Sequence, residues 1–141
     1  MEAVAQAHTA NSIVLRLGNL AGADALLGVA RTRYQLDMFP DGSHPIRSYI
    51  GPGMFAHVLC ELIKKRAALP QIINVAAQPA VSMSDLLRVA GKPWDDKPAD
   101  DDTIAVVKLE TRLLESFVEM PESAGTPATI VADWLSARGS A

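Results

Sequence analysis

Two runs of β-branched and apolar residues dominate the hydrophobic pattern, Ile13 to Leu17 (IVLRL) and Ile72 to Ala76 (IINVA). Each is continuous rather than alternating, the pattern of a strand covered on both faces. Ile46 to Ile50 (IRSYI) and Thr103 to Leu109 (TIAVVKL) read as two further strands. Between Gly53 and Ala67 the period changes, and Met54, Phe55, Val58, Leu59, Leu62 and Ile63 recur at helical spacing. Pro52 near the start and Lys64, Lys65 and Arg66 near the end frame that helix. Ser82 to Ala90 reads as a helix with Ser82 as N-cap, Asp85 in the first turn and Gly91 as C-cap. Thr126 to Ala137 reads as a last helix, with Thr126 capping and Pro127 at its first position. Shorter helices are expected at Ala23 to Ala30 and Glu110 to Val118, and Met1 to Thr9 reads as the last turns of another. Tyr34 to Phe39 leads into a turn at Pro40-Asp41-Gly42-Ser43. The five aspartates from Asp95 to Asp102 predict a solvated linker. The organisation is mixed α/β, with no internal repeat.

Composition narrows the classes. With 141 residues, 49% of them hydrophobic and 21% charged, the chain fits one globular domain rather than a disordered segment or a two-domain enzyme. A net charge of -3 without a basic stripe argues against nucleic acid as a partner. The single cysteine, Cys60, excludes an internal disulfide, and no Cys/His cluster has the spacing of a structural zinc site. No apolar window is long enough to span a bilayer, and Glu2, Gln6 and His8 stand where a signal peptide needs an apolar stretch. The expected location is the cytoplasm. A mean hydropathy of +0.14 is high for a small acidic chain and points to apolar surface that expects a partner.

Gly18, Asn19 and Gly22 follow the first strand as a loop at its C-terminal end, where open α/β sheets place their ligand crevice. The string Val14-Leu15-Arg16-Leu17-Gly18-Asn19-Leu20-Ala21-Gly22 resembles the strand and loop after the catalytic helix of the NAD(P)-dependent epimerase/dehydratases, the extended short-chain dehydrogenases, whose usual form there is Leu-Arg-aromatic-aromatic-Asn-x-x-Gly. Asp41-Gly42-Ser43 with Arg47-Ser48-Tyr49-Ile50 resembles that family's Gly followed by Arg-Asp-Tyr-Ile-His, and Ile73-Asn74-Val75-Ala76 its Tyr-Asn-Leu-Gly strand. The three landmarks fall in the family's order and cover most of the chain up to Pro98.

The resemblance implies the C-terminal part of a Rossmann-like fold with short strands and flanking helices. Residues 1–30 would end the dinucleotide-binding sheet and form the crevice loop, and residues 31–141 would form the substrate-side subdomain. It implies NAD or NADP in the complete protein, touched here by Leu17, Gly18 and Leu20, and a small-molecule substrate such as a nucleotide sugar or related carbonyl compound, touched by Asn19 and Arg47. The family's Gly-rich phosphate loop and Tyr-xxx-Lys pair do not occur in this sequence, where Tyr34 and Tyr49 are followed four residues on by Met38 and Gly53. No catalytic residue is therefore assigned and no tight cofactor binding is expected of this chain alone. Leu17-Gly18 in place of the aromatic pair, and Gly51-Pro52-Gly53-Met54 in place of His-Val-x-Asp, favour an atypical or reductase-like branch.

Each candidate has a plainer reading. Asn19 can instead tolerate a left-handed turn between glycines, and Arg47 can equally be a surface arginine. Asn74 is expected to make a structural hydrogen bond, and His57 with Glu61 to form a solvated helix face rather than a metal site. His44 reads as a turn residue. A second reading of the whole chain is a noncatalytic α/β module that binds a small ligand or a partner protein. Strands with few neighbours in so short a chain predict self-association.

Overall fold

A computed structural model describes residues 12–139. The helix expected at Met1 to Thr9 lies outside the described residues. Among the described residues nine short strands pair into four small sheets. β1 (Val14–Leu17) lies parallel to β6 (Ile72–Val75), with Val14 opposite Ile72 and Leu17 opposite Val75. β2 (Asn19–Leu20) lies parallel to β5 (Tyr49–Ile50), and β3 (Tyr34–Met38) parallel to β8 (Trp94–Pro98). β4 (Ile46–Arg47) sits between antiparallel β7 (Val81–Ser82) and parallel β9 (Val106–Val107). The helices are α1 (Pro52–Lys64), α2 (Met83–Val89), the single turn α3 (Arg112–Glu115) and α4 (Pro127–Gly139).

The apolar periodicity of α1 is used as the sequence predicts: Val58 and Leu62 are buried beside Ile73 and Val75 of β6. Pro52 takes the first helical position, where its missing N–H costs nothing. At the far end of α2 the Lys92 amide donates to the Leu87 carbonyl and the Gly91 amide to the Arg88 carbonyl, the paired closure of a Schellman motif. Thr126 caps α4 through its hydroxyl, which accepts from the Thr129 amide at 3.4 Å.

Two apolar cores result, and β5 divides them. Tyr49 is buried among Leu26, Leu27, Tyr34, Leu87 and Trp134, whereas its neighbour Ile50 is buried among Val58, Ile73, Val75 and Leu114. Successive side chains of a strand point to opposite faces, so two residues of one short strand serve two cores. Leu20 of the partner strand packs against the second core and Ala21 against the first.

Several expectations are corrected. The run from Asp95 is not a linker up to Pro98, because Trp94–Pro98 is a strand. Three of the acids find partners: Asp95 pairs with Arg33, Asp96 accepts from His44 Nε2 at 2.9 Å, and Lys97 lies 3.1 Å from Asp100. Ala23 to Ala30 forms turns rather than a helix: the Asp24 carboxylate takes the Leu26 and Leu27 amides as a helix cap would, but a single turn, closed by the Gly28 amide on the Asp24 carbonyl, is all that follows. Ile46 to Ile50 is split at Ser48 into strands of two different sheets, and only Val106–Val107 and Arg112–Glu115 form within the strand and helix expected between Thr103 and Val118. β1 is not covered on both faces: Arg16 and Leu17 are exposed, and among the described residues β6 is its one sheet neighbour.

Candidate functional site

The crevice segment is a short strand rather than a flexible loop. Gly18 donates its amide to the Val75 carbonyl at 2.9 Å and Asn19 donates to Ser48 at 2.8 Å, so the chain steps from β6 to β5 within two residues. Gly18 is needed for that step. A Cβ there would stand 2.8 Å from the Ser48 carbonyl oxygen and 3.3 Å from the Ala76 methyl. Asn19 is extended, no non-glycine described residue has positive φ, and the left-handed reading of Asn19 falls.

Register brings the candidates together. Asn19 is paired with Tyr49, and Arg47 lies two residues before Tyr49. Tyr49 is 1% exposed and its hydroxyl donates to Asp24 Oδ2 at 2.7 Å. Burial pushes the Tyr49 phenol well above its ordinary pKa, and the adjacent Asp24 carboxylate adds to the rise; a hydrogen bond with the Asn19 side chain and the Arg47 charge oppose it. Tyr49 thus remains a protonated donor. Asp24 is itself saturated, since Gly22, Leu26 and Leu27 donate their amides to it at 3.3, 3.2 and 3.1 Å. This Asn19–Tyr49–Asp24 assembly fixes the crevice segment on β5.

Arg47 holds the segment before β9. Its Nη1 donates to the Ile46 and Ala105 carbonyls at 2.9 and 3.2 Å, and Nη2 donates to Ile104 at 2.8 Å. Those bonds use both Nη1 protons and one on Nη2, so the Nε–H and the other Nη2 proton are open to an anion. Leu17, 40% exposed, and the half-buried Leu20 flank Gly18 and Asn19.

The other candidates separate from this cluster. Asn74 donates to the Glu110 carbonyl at 2.9 Å, the structural bond expected of it. Glu61 pairs with Lys64 at 2.6 Å, and that bond draws the Glu61 carboxyl below its usual range, so Glu61 is committed to a surface ion pair beside His57. His44, besides its bond to Asp96, meets the Trp94 ring edge-on with centroids 6.3 Å apart. Among the described residues no group of three His, Cys, Asp or Glu side chains is placed to hold a metal ion.

The sequence offered Ser48 and Tyr49 only as parts of a landmark, with no role for either, and assigned none to Asp24 or Asp133. Ser48 joins two segments, its hydroxyl oxygen accepting from the Leu109 amide at 2.9 Å. Asp133 of α4 accepts from the Gly53 and Met54 amides at 3.0 and 2.9 Å and so caps α1 from another helix. The one signal for it lay in Gly51-Pro52-Gly53, a helix start without a capping side chain of its own.

No family model matches the chain, and no curated protein matches it. The fold is that of the Rossmann-like NAD-dependent epimerases and dehydratases, the extended short-chain dehydrogenases, and the chain spans about half the length of the solved structures it matches. Similar structures include the NAD-dependent NDP-hexosamine 5,6-dehydratase TunA of tunicamycin biosynthesis, at TM-score 0.71 and 18% identity over 99% of this chain and 51% of that one. The UDP-glucose 4-epimerase of Stenotrophomonas maltophila, solved with NAD and formylated UDP-arabinopyranose, gives TM-score 0.64 and 18% identity over 98% of this chain and 52% of its own. The Brucella ovis UDP-glucose 4-epimerase, solved with NAD, gives 0.63 and 16% over 90% and 49%.

Proposed function

We propose that the chain is the C-terminal, substrate-side portion of an NAD(P)-dependent epimerase/dehydratase or reductase and is inactive by itself. The observation that carries this reading is the pairing of Asn19 with Tyr49, which joins two of the three sequence landmarks, with Arg47 two residues before Tyr49 at the end of β4 in the adjoining sheet. Residues 1–30 end the dinucleotide-binding sheet and present the crevice segment, and residues 31–141 form the substrate side.

In this reading the complete protein uses NAD or NADP, with Leu17, Gly18 and Leu20 beside the nicotinamide end. Asn19 donates or accepts through its amide at the substrate, and the open Nε–H and Nη2 proton of Arg47 bind a phosphate or carboxylate of it. The substrate is a small carbonyl compound or nucleotide sugar, the class carried by the Stenotrophomonas enzyme. The cofactor supplies hydride chemistry when bound; this chain supplies binding and orientation. No described helix is long and apolar enough to cross a membrane, and the site of action in this reading is the cytoplasm.

The proton-transfer pair required at a substrate hydroxyl is missing from the sequence, and Tyr49 is held protonated by burial and by Asp24. Assay of the isolated chain with NAD(P)H and NAD(P)+ against a panel of carbonyl compounds and nucleotide sugars should therefore give no turnover above a protein-free blank. Turnover would overturn the reading.

A further inference from the structure

Arg47 lies between two segments of different character, and its neighbour Ser48 fixes their order. The Ser48 amide donates to the Val107 carbonyl at 3.2 Å, and the Ser48 carbonyl accepts from the Asn19 amide at 2.8 Å. The N–H and C=O of one strand residue point the same way, so β9 and β2 adjoin end to end along one side of the run from Ile46 to Ile50. From β2 comes Asn19, and from the β9 side comes an aliphatic run, Ile104 to Val107. In register Arg47 stands opposite Val107, and paired residues of neighbouring strands share a face, so the Val107 side chain flanks the arginine. The guanidinium then reaches back along the same run to the Ala105 and Ile104 carbonyls.

This aliphatic run is open to water. Ile104 is 63% and Val107 42% exposed, and Ala105 between them is exposed as well. The cation beside them is held in place by carbonyls alone, and among the described residues no acid pairs with it. A guanidinium with open N–H groups holds the head of an anion, and the side chains around it decide what that head can carry. A hexose surrounds its ring with hydroxyls, each of which gives up water on binding and needs a partner in return. Ile104, Ala105 and Val107 have no side-chain group to offer. On the other side Asn19 already bonds to Tyr49, and Ser48 is 4% exposed with its oxygen taken by the Leu109 amide. A hydrocarbon group has the opposite requirement, which exposed aliphatic side chains beside a fixed cation meet.

We infer that the preferred ligand of this site is an organic anion whose head meets Arg47 and whose adjoining group is hydrocarbon, lying on Ile104 and Val107, rather than a sugar. The inference rests on the reading of Asn19 and Arg47 as a substrate site and narrows it. Of the two classes named there, the small carbonyl compound with an apolar body and an anionic head is the better fit. A nucleotide sugar, which reaches the same guanidinium through its phosphates, is the weaker ligand.

The test uses cyclohexyl phosphate and glucose 1-phosphate, which share a head and a six-membered ring and differ in the ring hydroxyls, in amide-resolved NMR titrations of the full chain. Both should shift Arg47, and cyclohexyl phosphate should also shift Ile104 and Val107 and bind at least about tenfold more tightly. Cyclohexanol, the ring without the head, should bind at least about tenfold more weakly than cyclohexyl phosphate. The double substitution Ile104→Thr with Val107→Thr changes exposed positions and keeps β-branched residues, and it should bring the two phosphates within about threefold of each other. Equal affinities in the parent chain, or a preference that survives the double substitution, would overturn this inference and leave Arg47 as an anion site. Shifts at neither Asn19 nor Arg47 with either phosphate would overturn the reading of the site itself, and this inference with it.

Discussion

The Tyr49 hydroxyl joins the crevice segment to the turn around Asp24, and its bond to a carboxylate inside an apolar core makes it costly to remove. A hydrogen bond to a charged acceptor contributes about 1.5–3 kcal/mol. Tyr49→Phe is therefore expected to lower unfolding stability by about that amount in urea titration at neutral pH. The pH dependence has a definite sign. Because the folded state raises the phenol pKa, the contribution is complete below the unfolded value of about 10 and is lost as pH rises above it. The stability gap between the parent chain and Tyr49→Phe should accordingly be constant from pH 7 to 9 and shrink in more alkaline solution. A gap that grows with pH would show that Tyr49 is not the protonated donor described above.

At the scale of elements, α1 depends on another helix for its start. Gly51 at its N-cap has no side chain to offer, and the carboxylate of Asp133 substitutes by taking the Gly53 and Met54 amides. Losing a cap costs about 1–2 kcal/mol, so Asp133→Ala should lower the urea midpoint correspondingly, while Asp133→Asn, which keeps one acceptor, should recover part of the loss. Protection of the first-turn amides of α1 in hydrogen exchange should fall in the alanine variant, and unchanged protection would contradict the cap.

The same dependence explains what could be read in advance. α1, α2 and α4 were legible because apolar spacing, Pro52 and Pro127 at first helical positions, and Gly91 all act within a few residues of one another. β1 and β6 were legible as strands for the same reason. The strand at Trp94–Pro98 was not, since its aspartates need Arg33 and His44, each more than fifty positions away. Nor was the break at Ser48, which arises from competition between β9 and β2 for one run of chain. Of the site, Asn19 and Arg47 were found through resemblance, whereas Asp24 and Asp133 act through distant amides and leave no local signature.

For the whole molecule, the apolar surface around β1 and α1 has a consequence. Leu17 and Ile63 are 40% and 66% exposed, and a small apolar hollow of about 140 Å³ lies among Leu15, Leu59, Ile63 and Leu69. Exposed apolar surface of this kind favours association with a second copy of the chain. Sedimentation velocity over a hundredfold concentration range should show a dimer or larger species that Ile63→Glu shifts toward monomer. A monomer at every concentration would mean that the exposed apolar surface is tolerated in water.

The central claim is that the β2–β5 pair carrying Asn19, together with Arg47 of the adjoining β4, is a substrate site whose cofactor-binding complement lies elsewhere. The measurement that addresses it most directly is a pair of amide-resolved NMR titrations, one with UDP-glucose and one with NAD. UDP-glucose should perturb Asn19, Leu20 and Arg47, with Arg47→Ala weakening binding about tenfold, while NAD should show no tight binding. Perturbation confined to residues away from β2, β4 and β5, or NAD bound tightly by this chain alone, would contradict the account.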